Sequence, residues 1–106
     1  MIKYVIADIS ATVDGQLTRH TVPLLSNKKS KALFKNAAAK NATAIVDLSK
    51  VTKIDTAGLA WLLSMVEKAN ILSCPLNFAH IPDDLITLAK LSSVDSFLPL
   101  QAHSSE

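Results

Sequence analysis

The stretch Asp47-Leu48-Ser49-Lys50-Val51-Thr52-Lys53-Ile54-Asp55-Thr56-Ala57-Gly58-Leu59 decides the fold. Residues 44–48 (AIVDL) lead into it as a short, almost unbroken apolar run, the pattern of a central strand covered on both faces. Beyond it an apolar segment without Pro continues to about Leu72. The reading is therefore a buried strand, a loop over residues 49–54, and a helix that starts near Asp55. Either Asp55 or Thr56 can accept hydrogen bonds from the unpaired amides of the first helical turn. Ala57 and Gly58 are small enough to let another surface approach that helix end.

On the N-terminal side, residues 3–18 are rich in Val, Ile and Thr, and Asp14-Gly15 is a turn signal, so two tightly joined strands or one bent strand are expected. Thr18 and Thr21 offer capping hydroxyls before Val22 and Pro23, and a first long helix is expected from there to Lys40. Lys28, Lys31 and Lys35 fall on one side of it; such stripes are ordinarily solvated helix faces rather than lipid-binding ones. On the C-terminal side, residues 75–80 read as a further strand. Pro82 and the acidic pair Asp83-Asp84 mark the start of a third helix, whose buried face is expected to be Leu85, Leu88, Ala89 and Leu91. Strands alternating with helices after an initial strand pair predict an α/β fold with a mixed sheet of about four to five strands and helices packed against it. Residues 1–99 are expected to form this one domain, and residues 100–106 a flexible tail.

Composition narrows the function. The chain has 106 residues, 49% of them apolar, and 11 basic against 9 acidic side chains give a net charge of +2. That is room for one folded domain, and too weak a field to argue for a nucleic-acid partner. A lone Cys74 and the lack of a secretory pattern over residues 1–10 point to a reducing cytoplasm. No apolar run approaches the roughly 18 residues of a membrane span.

Chemistry has little to stand on. His20, His80 and His103 are isolated, without Cys, Asp or Glu at metal-ligand spacing. With Gly15 and Gly58 as the only glycines, neither a P-loop nor a dinucleotide fingerprint can be built, and there is no G-x-S-x-G elbow. The expectation is a protein that is not an enzyme and uses no cofactor or metal. A partner surface is expected on the second helix instead. Leu59, Leu62, Leu63 and Val66 form the stripe that would pack on the sheet, leaving Trp61, Met65 and Leu72 on the opposite, solvent side. A phosphate on Thr56 would gain from the helix-end amides, yet place about two negative charges within any flat contact there.

The D-L-S-x-V-x-x-I-D-T-A-G-L pattern, followed by an apolar helix, resembles the signature of STAS domains, named for sulfate transporters and anti-sigma-factor antagonists. Gly15-Gln16-Leu17 stands where that family commonly has Gly-Glu-Leu, and the resemblance extends over roughly residues 12 to 98. Thr in place of Ser in D-T-A-G-L, together with Thr87-Leu88-Ala89-Lys90-Leu91, is most similar to the STAS subunit of the Mla phospholipid-transport ABC complex of Gram-negative bacteria. The resemblance implies a non-catalytic cytoplasmic regulatory subunit that binds the ABC ATPase subunit, and through it the membrane permease. Its contact and regulatory residues would be Asp55, Thr56, Ala57, Gly58, Ala60, Trp61, Ser64 and Met65, and nothing supports a homodimer. The alternative within the family is an anti-sigma-factor antagonist switched by phosphorylation of Thr56. Thr18 stands where many kinase-regulated relatives carry Asp, and Ala57 where the closest branch commonly has Gly.

Overall fold

Four strands make one mixed sheet in the order β1-β2-β3-β4 in the computed structural model, which describes residues 2–98. The tail at 100–106 lies outside the described residues, as do the two ends of the expected domain, Met1 and Pro99. β1 (Ile2–Ala7) and β2 (Ser10–Leu17) are antiparallel; β2, β3 (Ala44–Ile54) and β4 (Leu76–Ala79) run parallel. Parallel neighbours need a long crossover. α1 (Asn27–Ala39) connects β2 to β3, α2 (Thr56–Ile71) connects β3 to β4, and α3 (Asp83–Leu91) follows β4.

One face of the sheet takes all three helices. Tyr4, Val13, Val46 and Phe78 are buried and share that face through the pairings Tyr4 with Val13 and Val46 with Phe78. Leu33 and Phe34 of α1, Leu62 and Met65 of α2, and Leu85 and Ala89 of α3 join them in a single core cluster. Strand residues of the other parity, among them Val5, Thr12, Ile45, Asp47 and Asn77, are exposed or half-buried, Val5 at 56%. The two-sided cover expected at residues 44–48 is therefore not present, and Ile45 and Asp47 lie on the less buried face.

β3 runs through the expected loop at 49–54 without a break. The reason is two β-bulges. Thr12 pairs with Asp47 but Asp14 with Lys50, and Gly15 pairs with Val51 but Gln16 with Lys53, so β3 holds one extra residue at each step. Each extra residue flips the parity of the strand beyond it. Leu48, Val51 and Ile54, three apart, thereby all stay on the core side: Leu48 is buried, and Val51 and Ile54 pack against the core.

The β1–β2 turn is at Asp8 and Ile9 rather than at Asp14-Gly15. Asp8 adopts φ 57°, a left-handed conformation that Asp tolerates, and Asn36 Nδ2 donates to its carbonyl (3.0 Å) and its carboxylate (3.1 Å). Lys40 pairs with the same carboxylate and is the main cause of its pKa lying below the ordinary value. Gly15, with φ 120°, sits inside β2 where the second bulge begins, a backbone shape that suits Gly.

The first helix begins later than expected. Val22–Leu24 form a short 3-10 turn, and α1 starts after Ser26, whose Oγ accepts from Lys29 N. Thr18 and Thr21 serve the loop instead: the Thr21 hydroxyl donates to Gln16 O (2.7 Å) and accepts from Thr18 N (2.9 Å). In α3, Ile86 takes the buried place assigned to Leu91, which is 80% exposed, and Leu88 is half-buried.

Candidate functional site

β3 ends at Ile54 and delivers Asp55 to the N-cap of α2. Asp55 Oδ1 accepts from Gly58 N (3.1 Å), which closes the first turn. Asp55 Oδ2 accepts from Arg19 N (3.1 Å), 36 residues earlier in the chain, and Asp55 N donates to Leu17 O (3.3 Å). The choice left open by the sequence is thus resolved in favour of Asp55. Thr56 is the first helical residue, exposed, and no side chain among the described residues hydrogen-bonds its hydroxyl.

Desolvation opposes ionisation of Asp55, but hydrogen bonds from the backbone amides of Arg19, Gly58 and Ala57 outweigh it and hold the carboxyl below its ordinary 3.8. A carboxyl depressed in the folded state adds stability above its unfolded pKa and loses it as pH falls through the folded one. Native protein is accordingly expected to lose stability on acidification below about pH 4. Asp55→Asn should flatten part of that slope in urea unfolding between about pH 2 and 5, and an unchanged slope would mean that Asp55 is not the capping group.

The eight residues expected to form one surface divide into two groups. Thr56 and Ala60 are exposed, and Asp55, Ala57 and Ser64 half-buried, along one outward side of α2. The Ser64 hydroxyl donates back to Trp61 O (2.6 Å). Gly58, Trp61 and Met65, by contrast, are buried. A Cβ at Gly58 would lie 2.2 Å from Leu17 O and 2.9 Å from Ile54 Cγ1, so its smallness serves the chain's own backbone and not an incoming partner.

Trp61 is 7% exposed and meets the Tyr4 ring edge-on, with centroids 5.3 Å apart and planes at 87°. The Tyr4 hydroxyl lies 2.8 Å from Ser30 Oγ and donates to Met65 Sδ at 3.8 Å. The solvent face expected for Trp61 and Met65 is thus covered by β1 and α1, because α2 packs on a neighbouring helix as well as on the sheet. Leu72 is half-buried, and so are Leu63 and Val66, expected under the helix.

Two residues that sequence reasoning missed adjoin the helix start. Arg19 and His20 are exposed beside the Asp55 cap, Arg19 Nε donating to His20 Nε2 at 3.4 Å. Only the long-range approach of residues 17–24 to the helix start assembles them, and no local pattern announces it.

The family model described as "Mlab, STAS domain" matches residues 7–100. The chain is a member of the STAS domain family. Solved structures with a similar fold include the unphosphorylated anti-sigma factor antagonist SpoIIAA, with a TM-score of 0.64 at 15% identity over 92% of this chain and 85% of that one. An anti-sigma factor antagonist assigned in Thermotoga maritima gives a TM-score of 0.66 at 17% identity, covering 92% and 82%. SpoIIAA, the Bacillus cell fate determinant, in its phosphorylated form gives 0.54 at 13% identity, covering 92% and 88%. At such identities the likeness speaks for the STAS fold alone. No protein of curated function matches the sequence. In this STAS domain no helix among the described residues is long and apolar enough to cross a membrane, and no group of three metal-ligating side chains occurs among them.

Proposed function

We propose that this STAS domain is a non-catalytic regulatory subunit that binds the ATPase subunit of a bacterial phospholipid-transport ABC complex, one that maintains outer-membrane lipid asymmetry. It would act in the cytoplasm, reaching the inner membrane and its permease through that ATPase. The observation that supports this most is the family match over residues 7–100, together with an α2 start whose cap is supplied by Asp55. Thr56 is thereby left exposed, and Ala57 and Ala60 beside it are too short to obstruct a flat contact. Docking there needs no chemistry, only a shape that the fold holds rigid.

Thr56→Glu inserts a charge into the proposed contact, and binding to the ATPase is expected to weaken by about 2 kcal/mol, roughly thirtyfold. A pull-down from membranes with native and Thr56→Glu protein, quantified by mass spectrometry, checks this. Equal recovery of the ATPase by both would remove Thr56 from the interface. Recovery of a kinase-like anti-sigma factor in place of the ATPase would overturn the transporter reading and make Thr56 a phosphorylation site.

A further inference from the structure

Lys28, Lys31 and Lys35 are exposed along α1, and by themselves they describe a solvated helix face. The tertiary structure adds what that stripe lacks. Lys68 of α2 comes alongside, with Nζ donating to Asn27 Oδ1 at 2.9 Å. Between the two helices lies an open groove of 380 Å³ lined by Lys31, Lys35 and Lys68 and by Ile71 and Leu72, of which Leu72 is half-buried. Ile71 is 73% exposed, at the last position of α2. α1 contains no acidic residue and α2 only Glu67. The ion pairs among the described residues are Lys40–Asp8 and His80–Asp47, so the lysines of this groove meet no carboxylate. Lys29, their neighbour, is engaged elsewhere, donating to Tyr4 O at 2.9 Å.

Cations beside an apolar side chain that stands out into solvent, as Ile71 does, suit a surface that is anionic at its outer level and apolar just beneath it. We propose that the α1–α2 groove is a peripheral contact site for an anionic phospholipid surface, with the three ammonium groups on lipid phosphates and Ile71 entering between head groups. Interfacial contacts of this kind combine buried apolar area with attraction to anionic lipid. A free phosphate ion would make no use of Ile71. An acidic amphipathic helix would need a line of apolar anchor sites along its length, whereas here the apolar part of the groove is two residues at one end of α2. Ile71 is also some 15 residues along α2 from Thr56, about 22 Å at ~1.5 Å per residue, so a partner on the helix start leaves the groove free. The inference goes beyond the docking reading and needs no ATPase to be tested.

The test is flotation of the purified chain with vesicles of phosphatidylglycerol mixed with phosphatidylcholine, and with vesicles of phosphatidylcholine alone, at low and at physiological salt. Native protein is expected to partition at least about tenfold more strongly onto the anionic vesicles, less so as salt rises. The triple variant Lys31→Gln/Lys35→Gln/Lys68→Gln should lose about a hundredfold, near fivefold per lysine. Ile71→Ser should lose several-fold at constant charge. Lys3→Gln/Lys50→Gln, which removes two cations flanking Asp14 on the other sheet face, should bind like the native chain. Circular dichroism checks that each variant is folded. Failure of native protein to bind the anionic vesicles at low salt overturns the proposal. So does native-like binding by the triple variant or by Ile71→Ser, or an equal loss in the Lys3/Lys50 control. Capture of an acidic protein segment by the groove without vesicle binding would give the site to a protein partner instead.

Discussion

Trp61→Ala is expected to destabilise the protein by about 4 kcal/mol, at the upper end for a single substitution. The indole is 7% exposed, and its loss would leave a void beside the Tyr4 ring of β1. Three contributions act in the same direction: burial of the ring, the cavity left when neighbours relax incompletely, and the edge-on pair with Tyr4, about 0.5–1.5 kcal/mol in such geometries. A domain of this size has a total stability of roughly 5–15 kcal/mol, so the loss would remove between about a quarter and most of it. Trp61→Phe keeps an aromatic edge in the same place and should lose about 1–2 kcal/mol. Urea unfolding followed by far-UV circular dichroism measures both. A loss below about 1 kcal/mol for Trp61→Ala would mean that the indole is at the surface after all.

Gly58→Ala is the second large effect, and helix propensity alone assigns it the wrong sign. Ala is favoured over Gly inside a helix by about 1 kcal/mol. At Gly58 the added Cβ would stand 2.2 Å from Leu17 O, a backbone atom that cannot swing away, and 2.9 Å from Ile54 Cγ1. Either α2 lifts from the end of β2, or the hydrogen bonds from Asp55 to Leu17 and from Gly58 to Asp55 lengthen. Overpacking of this kind costs about 1–3 kcal/mol, and the rigidity of the clash places this case at the upper end. The melting temperature should fall by on the order of 10 °C. Ala60→Gly, two positions on and exposed, should lose only the propensity difference of about 1 kcal/mol. If Gly58→Ala melts at or above the native temperature, the close approach of α2 to Leu17 is not as described.

The two substitutions also separate stability from partner binding. Trp61, Met65 and Gly58 belong to the interior, and changes there would weaken any partner indirectly by unfolding the chain. Thr56 and Ala60 are at the surface, so substitutions at them test docking with the fold intact.

Local chemistry made much of this protein legible. Asp55 ahead of Thr56-Ala57-Gly58 announces a helix start, and Pro82 with Asp83 and Asp84 announces another, because capping and terminal charge act within one turn. The apolar run at 44–48 and the strand near 76–79 are read from a few consecutive side chains, and the family signature spans 13 positions from Asp47 to Leu59. Other features were set by partners far away in the chain. β3 continues through residues 49–54 because β2 pairs with it across two bulges, which turn a spacing of three into a continuous core face; no periodicity within the strand contains that. Met65 is buried because Tyr4, 61 residues earlier, reaches it, and Trp61 because the same Tyr4 ring covers it. The lysine groove exists only where α1 and α2 lie side by side. The sequence by itself thus determined where most helices and strands lie and to which family they belong, since those signals act over a few residues. Only the tertiary structure decided which side of α2 is free, because burial is set by whatever the rest of the chain places on that side.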